Sequence, residues 1–229
     1  MTAAPCRTFL NVLVGFLLTG LATAQEQVSF PTQDGGLVYA DLYGEGDHGV
    51  VLAHGGQFNK GSWEKQARIL ADSGFRVLAI DFRGYGQSLG PGHSDPLSAP
   101  LYLDVLAAVR YLRDAGAESV SAVGASMGGW AAADASIEAP GEIERLIILG
   151  TGTGNGAPEK IAGRKLFIVT RDDANAAGPR LPRIQAQYDE VPNPKELIVF
   201  DGSAHAQFMF DTDKGEQVMQ AILRFLLAP

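Results

Sequence analysis

The chain has 229 residues, of which 46% are hydrophobic and 19% are charged, and its formal net charge at neutral pH is −8. Acidic residues outnumber basic ones by 26 to 18, and the basic residues form no run. Nucleic acid and anionic lipid surfaces are therefore not expected partners. The chain contains no internal repeat and no low-complexity linker, so these features give no sign of a second domain.

The first 24 residues predict a secretory signal peptide. Arg7 supplies the positive charge of the n-region, residues 9–21 form the apolar core, and residues 22–24 (Ala-Thr-Ala) form a cleavage site before Gln25. The core is shorter than the roughly 20 residues that a transmembrane helix needs, so we expect no stable membrane anchor. We expect a secreted or periplasmic protein. The only cysteine, Cys6, lies in this segment, so the mature chain would hold no disulfide and no cysteine nucleophile.

Residues 25–229 are expected to form a single domain. A first antiparallel pair of strands is turned by Asp34-Gly35-Gly36, and continuous apolar runs then predict parallel strands that are buried on both faces. The predicted strands are residues 28–31, 37–43, 50–53, 77–81, 120–124, 146–149, 166–170 and 197–200. Apolar residues at spacings of three and four predict helices over 101–112 and 219–226, and an Ala-rich helix follows Met127.

A serine between two glycines marks the turn from the fifth predicted strand into that Ala-rich helix. Gly124, Ser126 and Gly128 form the pattern G-x-S-x-G, which is the signature of a nucleophile elbow. The turn is crowded, and glycines two residues before and after the serine remove Cβ atoms that would clash. Ser126 is therefore the candidate nucleophile.

Two further side chains complete a candidate catalytic triad. Of the four histidines, His205 lies in a loop of small residues after the last predicted strand, where its imidazole could act as the general base. The triad acid should follow the strand before it, and Asp172 and Asp173 both do so. We favour Asp173, because in proteins that resemble this one the acid usually lies about four residues beyond the last apolar strand position. Its role would be to orient the imidazole and stabilise the imidazolium.

The order Ser126, Asp173, His205 resembles that of the α/β-hydrolases. Residues 51–57 look like the strand and His-Gly loop of that superfamily, and residues 81–88 look like its D-x-R-G-x-G-x-S turn. In size the chain looks like the dienelactone hydrolases and small esterases, but it has no cysteine nucleophile. The resemblance implies an α/β-hydrolase fold, with a mostly parallel eight-stranded sheet and helices on both faces.

The resemblance also implies an oxyanion hole. The backbone N–H of Met127 would be one donor, and the second would come from the loop at His54. Gly56 is the first choice for it and Gln57 the alternative, because two successive glycines leave the register open by one residue. His54 itself is interpreted as a hydrogen-bonded brace of the loop.

The connection over residues 150–164 is too short for the cap domain of many α/β-hydrolases, so we expect a cap-less protein with an open groove. Its Gly-rich segment, residues 150–156, lacks the context of a phosphate-binding or dinucleotide loop. No cofactor is expected. Metal binding has no support either, because the histidines are scattered without paired ligand spacing. Trp130 and Tyr85 are candidates to line an acyl pocket.

The sequence thus predicts a secreted serine hydrolase that cleaves small-molecule carboxylic esters through an acyl-enzyme intermediate. An amide or peptide hydrolase, of exopeptidase type, would use the same triad and is the first alternative. A non-catalytic binding member of the fold is the second. The residues do not determine acyl or alcohol specificity or the oligomeric state.

Overall fold

The computed structural model describes Met1 and residues 25–154 and 156–229, so the predicted signal peptide and Cys6 lie outside the described residues except for Met1. Among the described residues, eight strands form the main sheet, and each matches a predicted strand within two residues at either end. They are β1 (Glu26–Pro31), β2 (Leu37–Tyr43), β3 (His48–Ala53), β4 (Phe75–Ile80), β5 (Ser119–Ala125), β6 (Arg145–Leu149), β7 (Arg164–Thr170) and β10 (Lys195–Phe200). The predicted eight-stranded sheet is confirmed.

The strand order across the sheet is β1-β2-β4-β3-β5-β6-β7-β10. β2 is antiparallel to both β1 and β4, and the remaining neighbours run parallel. Residues 48–53 of β3 pair in register with residues 75–80 and 119–124. The carboxyl ends of the parallel strands therefore meet at one edge of the sheet, where ligands bind in open α/β sheets.

In the described part of the chain, five α-helices cover the two faces of the sheet: α1 (Glu64–Asp72), α2 (Tyr102–Asp114), α3 (Met127–Glu138), α4 (Leu181–Glu190) and α5 (Gly215–Leu227). Alternate residues of a strand enter opposite cores. Val51 packs in the core with α2 and α3, whereas Val50 packs in the core with α1 and α5. Because both faces are buried, the strands read as continuous apolar runs in the sequence.

A buried ion-pair network fixes the turn that follows β4. Arg83 is fully buried; its guanidinium donates to Asp104 on α2 at 2.6 Å and to Asp34 in the β1–β2 turn at 2.5 Å. The Arg83 guanidinium lowers the pKa of Asp34 to about 2. The D-x-R-G-x-G-x-S segment therefore joins the first hairpin to the edge that carries the site.

Sequence analysis predicted no element between residues 170 and 197, where the structure has three. The two-residue strands β8 (Ala174–Asn175) and β9 (Gly178–Pro179) form a small hairpin, and α4 follows it. α4 buries only one apolar side chain, Ile184, so its sequence carries too weak an apolar period to be recognised.

No cap domain is inserted between β6 and β7, as expected. Within the described part of this connection, the only regular element is a 3-10 turn at Pro158–Lys160. Among the described residues, no helix is both long and apolar enough to cross a membrane.

Candidate active site

Ser126 lies at the sharp turn between β5 and α3, and its backbone is strained. Its φ is +50° and its ψ is −113°, in a region that side-chain-bearing residues rarely adopt. A Cβ at Gly124 would lie 2.2 Å from the carbonyl oxygen of Gly128, and a Cβ at Gly128 would lie 2.2 Å from that of Ala53. Only glycine fits at either position. The turn leaves Ser126 partly exposed at the carboxyl edge of the sheet.

Ser126, His205 and Asp173 form one hydrogen-bonded chain. The Oγ of Ser126 lies 2.8 Å from Nε2 of His205, and Nδ1 of His205 lies 2.6 Å from Oδ2 of Asp173. Because a carboxylate only accepts, Nδ1 carries the proton and Nε2 faces the serine hydroxyl as an acceptor. The side chain of Asp173 is 3% exposed and that of His205 is 23% exposed. Asp172, the alternative acid, is exposed to solvent.

The loop after β10 that carries His205 is held by a hydrogen bond from the end of β7 and contains a strained residue. The hydroxyl of Thr170 donates to the carbonyl oxygen of Ala204 at 2.9 Å. Ala206 adopts a φ of +49°, the second described residue other than glycine with a positive φ, after Ser126. Both strained residues therefore border the same reaction centre, a clustering that is common at functional sites.

His54 is fully buried and bonds only to backbone groups. Its Nδ1 donates to the carbonyl oxygen of Gly55 at 2.8 Å, and its Nε2 accepts from the amide of Phe82 at 3.3 Å. Burial lowers the pKa of His54 to about 4, so the imidazole is neutral at pH 7. This geometry is that of a brace that joins the loop after β3 to the turn after β4.

The candidate oxyanion donors lie around one cavity. Met127 is the first residue of α3, and it lines a cavity of about 420 Å³ together with Gly56, Gln57, Ser126 and His205. A Cβ on Gly56 would lie 3.7 Å from the sulfur of Met127. The structure thus brings both alternatives, Gly56 and Gln57, to the cavity that holds Ser126.

Gln207 is a polar residue of this region that sequence reasoning missed. It is buried; its Oε1 accepts from the amide of Gly55 at 2.7 Å, and its Nε2 donates to the hydroxyl of Ser62 at 2.9 Å. One carboxamide therefore ties the His205 loop to the His54 loop. The position of Gln207, two residues after the candidate base, forms no sequence pattern that predicts this link between the loops.

The cavity over Ser126 has an apolar rim formed by Phe58, Leu97, Trp130 and Phe208. Leu97 is 72% exposed and Phe208 is 41% exposed, which is unusual for large apolar side chains. Trp130 lines the cavity as predicted. Tyr85 lies directly behind this lining, where its hydroxyl donates to the carbonyl oxygen of Gly56 at 2.9 Å.

Arg180 also borders this cavity, and sequence reasoning missed it as well. Its Nε lies 3.3 Å from Oδ1 of Asp173, and its amide donates to the Asp173 carbonyl oxygen at 2.8 Å. In the nearby Gly-rich segment, the amides of Thr153 and Gly154 donate to the side chains of Gln187 and Asp134. These two amides are therefore already bonded to side chains.

Two curated proteins are similar to this chain in sequence. The 2-hydroxy-6-oxo-6-phenylhexa-2,4-dienoate hydrolase of Comamonas testosteroni is 32% identical over 169 residues, which are 71% of this chain and 57% of that protein. A 2-hydroxy-6-oxononadienedioate/2-hydroxy-6-oxononatrienedioate hydrolase of Escherichia coli K12 is 28% identical over 174 residues, 73% of this chain and 55% of that protein. The chain thus spans a little more than half the length of the curated relatives it matches.

Among solved structures, an esterase from Pyrococcus furiosus superposes with a TM-score of 0.71 at 19% identity, covering 98% of this chain and all of that one. A dienelactone hydrolase from Anabaena variabilis gives a TM-score of 0.72 at 19% identity, covering 90% and 98%. At these identities the likeness concerns the fold alone. The model of the alpha/beta hydrolase fold family matches residues 50–213. With the sheet, the elbow and this match together, the chain belongs to the α/β-hydrolase fold family.

Proposed function

We propose that this chain is a serine hydrolase that cleaves carboxylic esters, with Ser126 as nucleophile, His205 as general base and Asp173 as the residue that orients His205. The observation that carries the proposal is the unbroken hydrogen-bonded chain from Ser126 Oγ through both ring nitrogens of His205 to Asp173. This is the arrangement that activates a serine hydroxyl, which is a weak nucleophile on its own.

In the proposed first step, Ser126 Oγ attacks the ester carbonyl carbon while His205 Nε2 takes the hydroxyl proton. The negative charge that develops on the carbonyl oxygen is stabilised by the N–H of Met127 and by that of Gly56 or Gln57. Collapse of the tetrahedral intermediate breaks the carbon–oxygen bond. The leaving alkoxide takes the proton from His205 and departs as the alcohol, which leaves an acyl group on Ser126.

In the second step, water replaces the alcohol. His205 removes a proton from the water as the resulting hydroxide attacks the acyl carbonyl, and the same backbone donors stabilise the second oxyanion. His205 then returns the proton to Ser126 Oγ, and the carboxylic acid leaves. The Asp173 carboxylate stabilises the imidazolium in both steps.

The shape of the site favours esters with an apolar part. The cavity over Ser126 is bordered by exposed apolar side chains, and no cap domain covers it in the described chain. An apolar acyl or alcohol group can be buried there at a gain of about 25 cal/mol for each Å² removed from water. Ser126 itself is reached from solvent.

A second candidate reaction is hydrolysis of an oxo-dienoate, as in the names of the curated relatives. The observation that favours it is the 32% identity over 169 residues to the Comamonas testosteroni protein. The same three residues would be required. If the protein hydrolysed an oxo-dienoate faster than every ester tested, this second reaction would replace ester hydrolysis as the proposed function.

The test is hydrolysis of 4-nitrophenyl esters from acetate to octanoate by the chain that begins at Gln25, beside its S126A variant. We expect turnover that vanishes in S126A, whose fold is checked by circular dichroism. Aminoacyl nitroanilides measured in parallel test the amide alternative: turnover of these without turnover of esters contradicts the proposal. Turnover of neither, with a ligand bound equally by both proteins, indicates a binding role.

We also propose that residues 1–24 direct export and are removed. The support is the Arg7 start, the apolar core and the Ala-Thr-Ala site. Intact-mass measurement of protein recovered from the periplasm or medium should give a chain that begins at Gln25. A full-length chain confined to the cytoplasm contradicts this.

A further inference from the structure

A second cavity adjoins the first on the side of Asp173. Its volume is about 190 Å³, far above the roughly 10–15 Å³ that one water molecule needs. It lies between the turn at residues 150–153 and the start of α4, where Arg180, Arg183, Ile184 and Gln187 line it. We name it the Arg180–Arg183 cavity.

The charge of this cavity is opposite to that of the protein. The chain carries 26 acidic and 18 basic residues, yet the described residues that line the cavity include two arginines and no carboxylate. Asp173 is an acidic partner of Arg180, whose Nε lies 3.3 Å from Oδ1 of Asp173, and Arg183 Nη2 donates to the side-chain amide oxygen of Asn175 at 3.2 Å. Each guanidinium has five N–H donors, so both keep donors for a ligand.

The neutral residues of the lining add further donors. Gln187 accepts through Oε1 from the amide of Thr153 at 3.2 Å, so its NH₂ group is the end left for a ligand. Thr151 and Thr153 contribute hydroxyl groups. A lining that consists mainly of donors, two of them on charged groups, matches a planar anion that accepts hydrogen bonds.

The cavity is close to the reacting atoms. Arg180 lines both cavities, and its amide is bonded to the Asp173 carbonyl oxygen. Gly150, which lines the second cavity, is so close to the triad that a Cβ on it would lie 3.1 Å from Nδ1 of His205. Because Arg180 lines both cavities, a substrate held at Ser126 that passes this side chain would enter the second cavity.

We infer that the Arg180–Arg183 cavity is a subsite for a carboxylate carried by the substrate, so that the preferred ester is anionic at one end and apolar at the other. This inference rests on the proposed ester hydrolysis. Arg183 makes a bidentate or single charged contact to the carboxylate. Arg180 contributes a second contact and keeps its link to Asp173.

Two matched pairs of substrates test it. 4-Acetoxybenzoate and its methyl ester place or remove a carboxylate on the alcohol side; mono-4-nitrophenyl adipate and its methyl ester do so on the acyl side. We expect wild type to hydrolyse the anionic member of one pair with the higher kcat/KM. R183Q should lose about 10- to 100-fold on that substrate, as for a lost charged hydrogen bond, and should keep its rate on the neutral methyl ester.

Two variants serve as controls. R68Q removes an arginine of α1 that is exposed and paired with Glu64, and it should change no rate. R183K keeps the charge without the planar fork and should retain part of the preference. An equal loss on the anionic and neutral members of both pairs in R183Q overturns the inference, as does no loss on either.

R180Q separates binding from positioning. If Arg180 contacts the carboxylate, R180Q loses more on the anionic substrate than on the neutral one; an equal loss on both assigns Arg180 to the orientation of Asp173 and removes it from the subsite. If wild type hydrolyses no ester, the proposed function fails. The subsite is then judged by calorimetric binding of adipate, which should be about 10-fold weaker in R183Q; equal binding overturns it.

Discussion

Two loops at the carboxyl edge of the sheet each carry a histidine, and the two rings have opposite surroundings. Both nitrogens of His54 bond to backbone groups, and the ring is fully buried. Both nitrogens of His205 bond to side chains, Ser126 and Asp173, and its side chain is 23% exposed. A ring held by backbone in a dry site stabilises the fold, whereas a ring between a hydroxyl and a carboxylate, open to solvent, can move a proton.

Replacing His205 with Ala gives the largest expected effect on activity. Without a general base, kcat/KM for a 4-nitrophenyl ester should fall by about 10⁴-fold or more. The melting temperature should stay within about 2 °C of wild type, because the side chain is not part of the core. H54A is the matched variant, and it should show the reverse: a large drop in melting temperature. Equal melting temperatures for the two variants would contradict the assignment of a structural role to His54 and a catalytic role to His205.

Replacing Asp173 with Asn should reduce kcat by about 10³- to 10⁴-fold. The amide no longer holds His205 in the tautomer with the proton on Nδ1. D172N is the adjacent control, and it should retain wild-type kinetics because the Asp172 side chain is exposed. Steady-state kinetics of the two variants on one ester decides this; a large loss in D172N alone would move the acid to the neighbouring residue.

The pH dependence of stability tests the other histidine. Because burial lowers the folded-state pKa of His54 from 6.5 to about 4, the unfolded chain binds more protons between these values. Its stabilising contribution is therefore present above pH 6.5 and is lost as the pH falls toward 4, by about 3 kcal/mol. Urea unfolding across this range should give a steeper loss for wild type than for H54Q.

The control for this measurement is H93Q, in which an exposed histidine is replaced. It should follow the wild-type slope. A slope for H54Q identical to that of wild type would mean that His54 titrates alike in the folded and unfolded chains.

Gln207 joins the two loops, and its removal should give the smallest of these effects. Q207A leaves the buried amide of Gly55 without an acceptor, so the loop after β3 loses its fixed position, and kcat should fall by about 10- to 30-fold. Q207E keeps an acceptor for that amide and should recover part of the rate. Q217A, on the exposed side of α5, is the control.

The sheet could be predicted because strands buried on both faces read as unbroken apolar runs. Ser126 could be singled out because the crowded turn admits only glycine on either side, and His205 because few histidines compete. Asp173 could be chosen over Asp172 only by counting residues from the end of β7. A difference of one residue separates the buried carboxylate of Asp173 from the exposed one of Asp172. The family resemblance predicted the loop after β3 but left Gly56 and Gln57 unresolved.

The contacts that arise only from folding could not be predicted. Gln207 and Ser62 are 145 residues apart in the chain, and no local sequence pattern predicts a hydrogen bond between them. α4 could not be predicted because it buries only one apolar residue. The arginines of the second cavity lie at the start of this helix, so they were missed as well. Secretion, ester preference and the roles of the site residues stay predictions until they are measured.

For protein engineering, the site has two classes of position: the crowded glycines of the elbow and the exposed residues of the cavity rim. Gly124 and Gly128 already contact backbone where a Cβ would stand, and a Cβ on Gly129 would lie 2.6 Å from the side chain of Thr151. We therefore expect random libraries that vary Gly124 and Gly128 to contain many members that do not fold. The exposed rim residues Leu97 and Phe208 have no such restriction, so diversity placed there should alter selectivity while most library members remain folded.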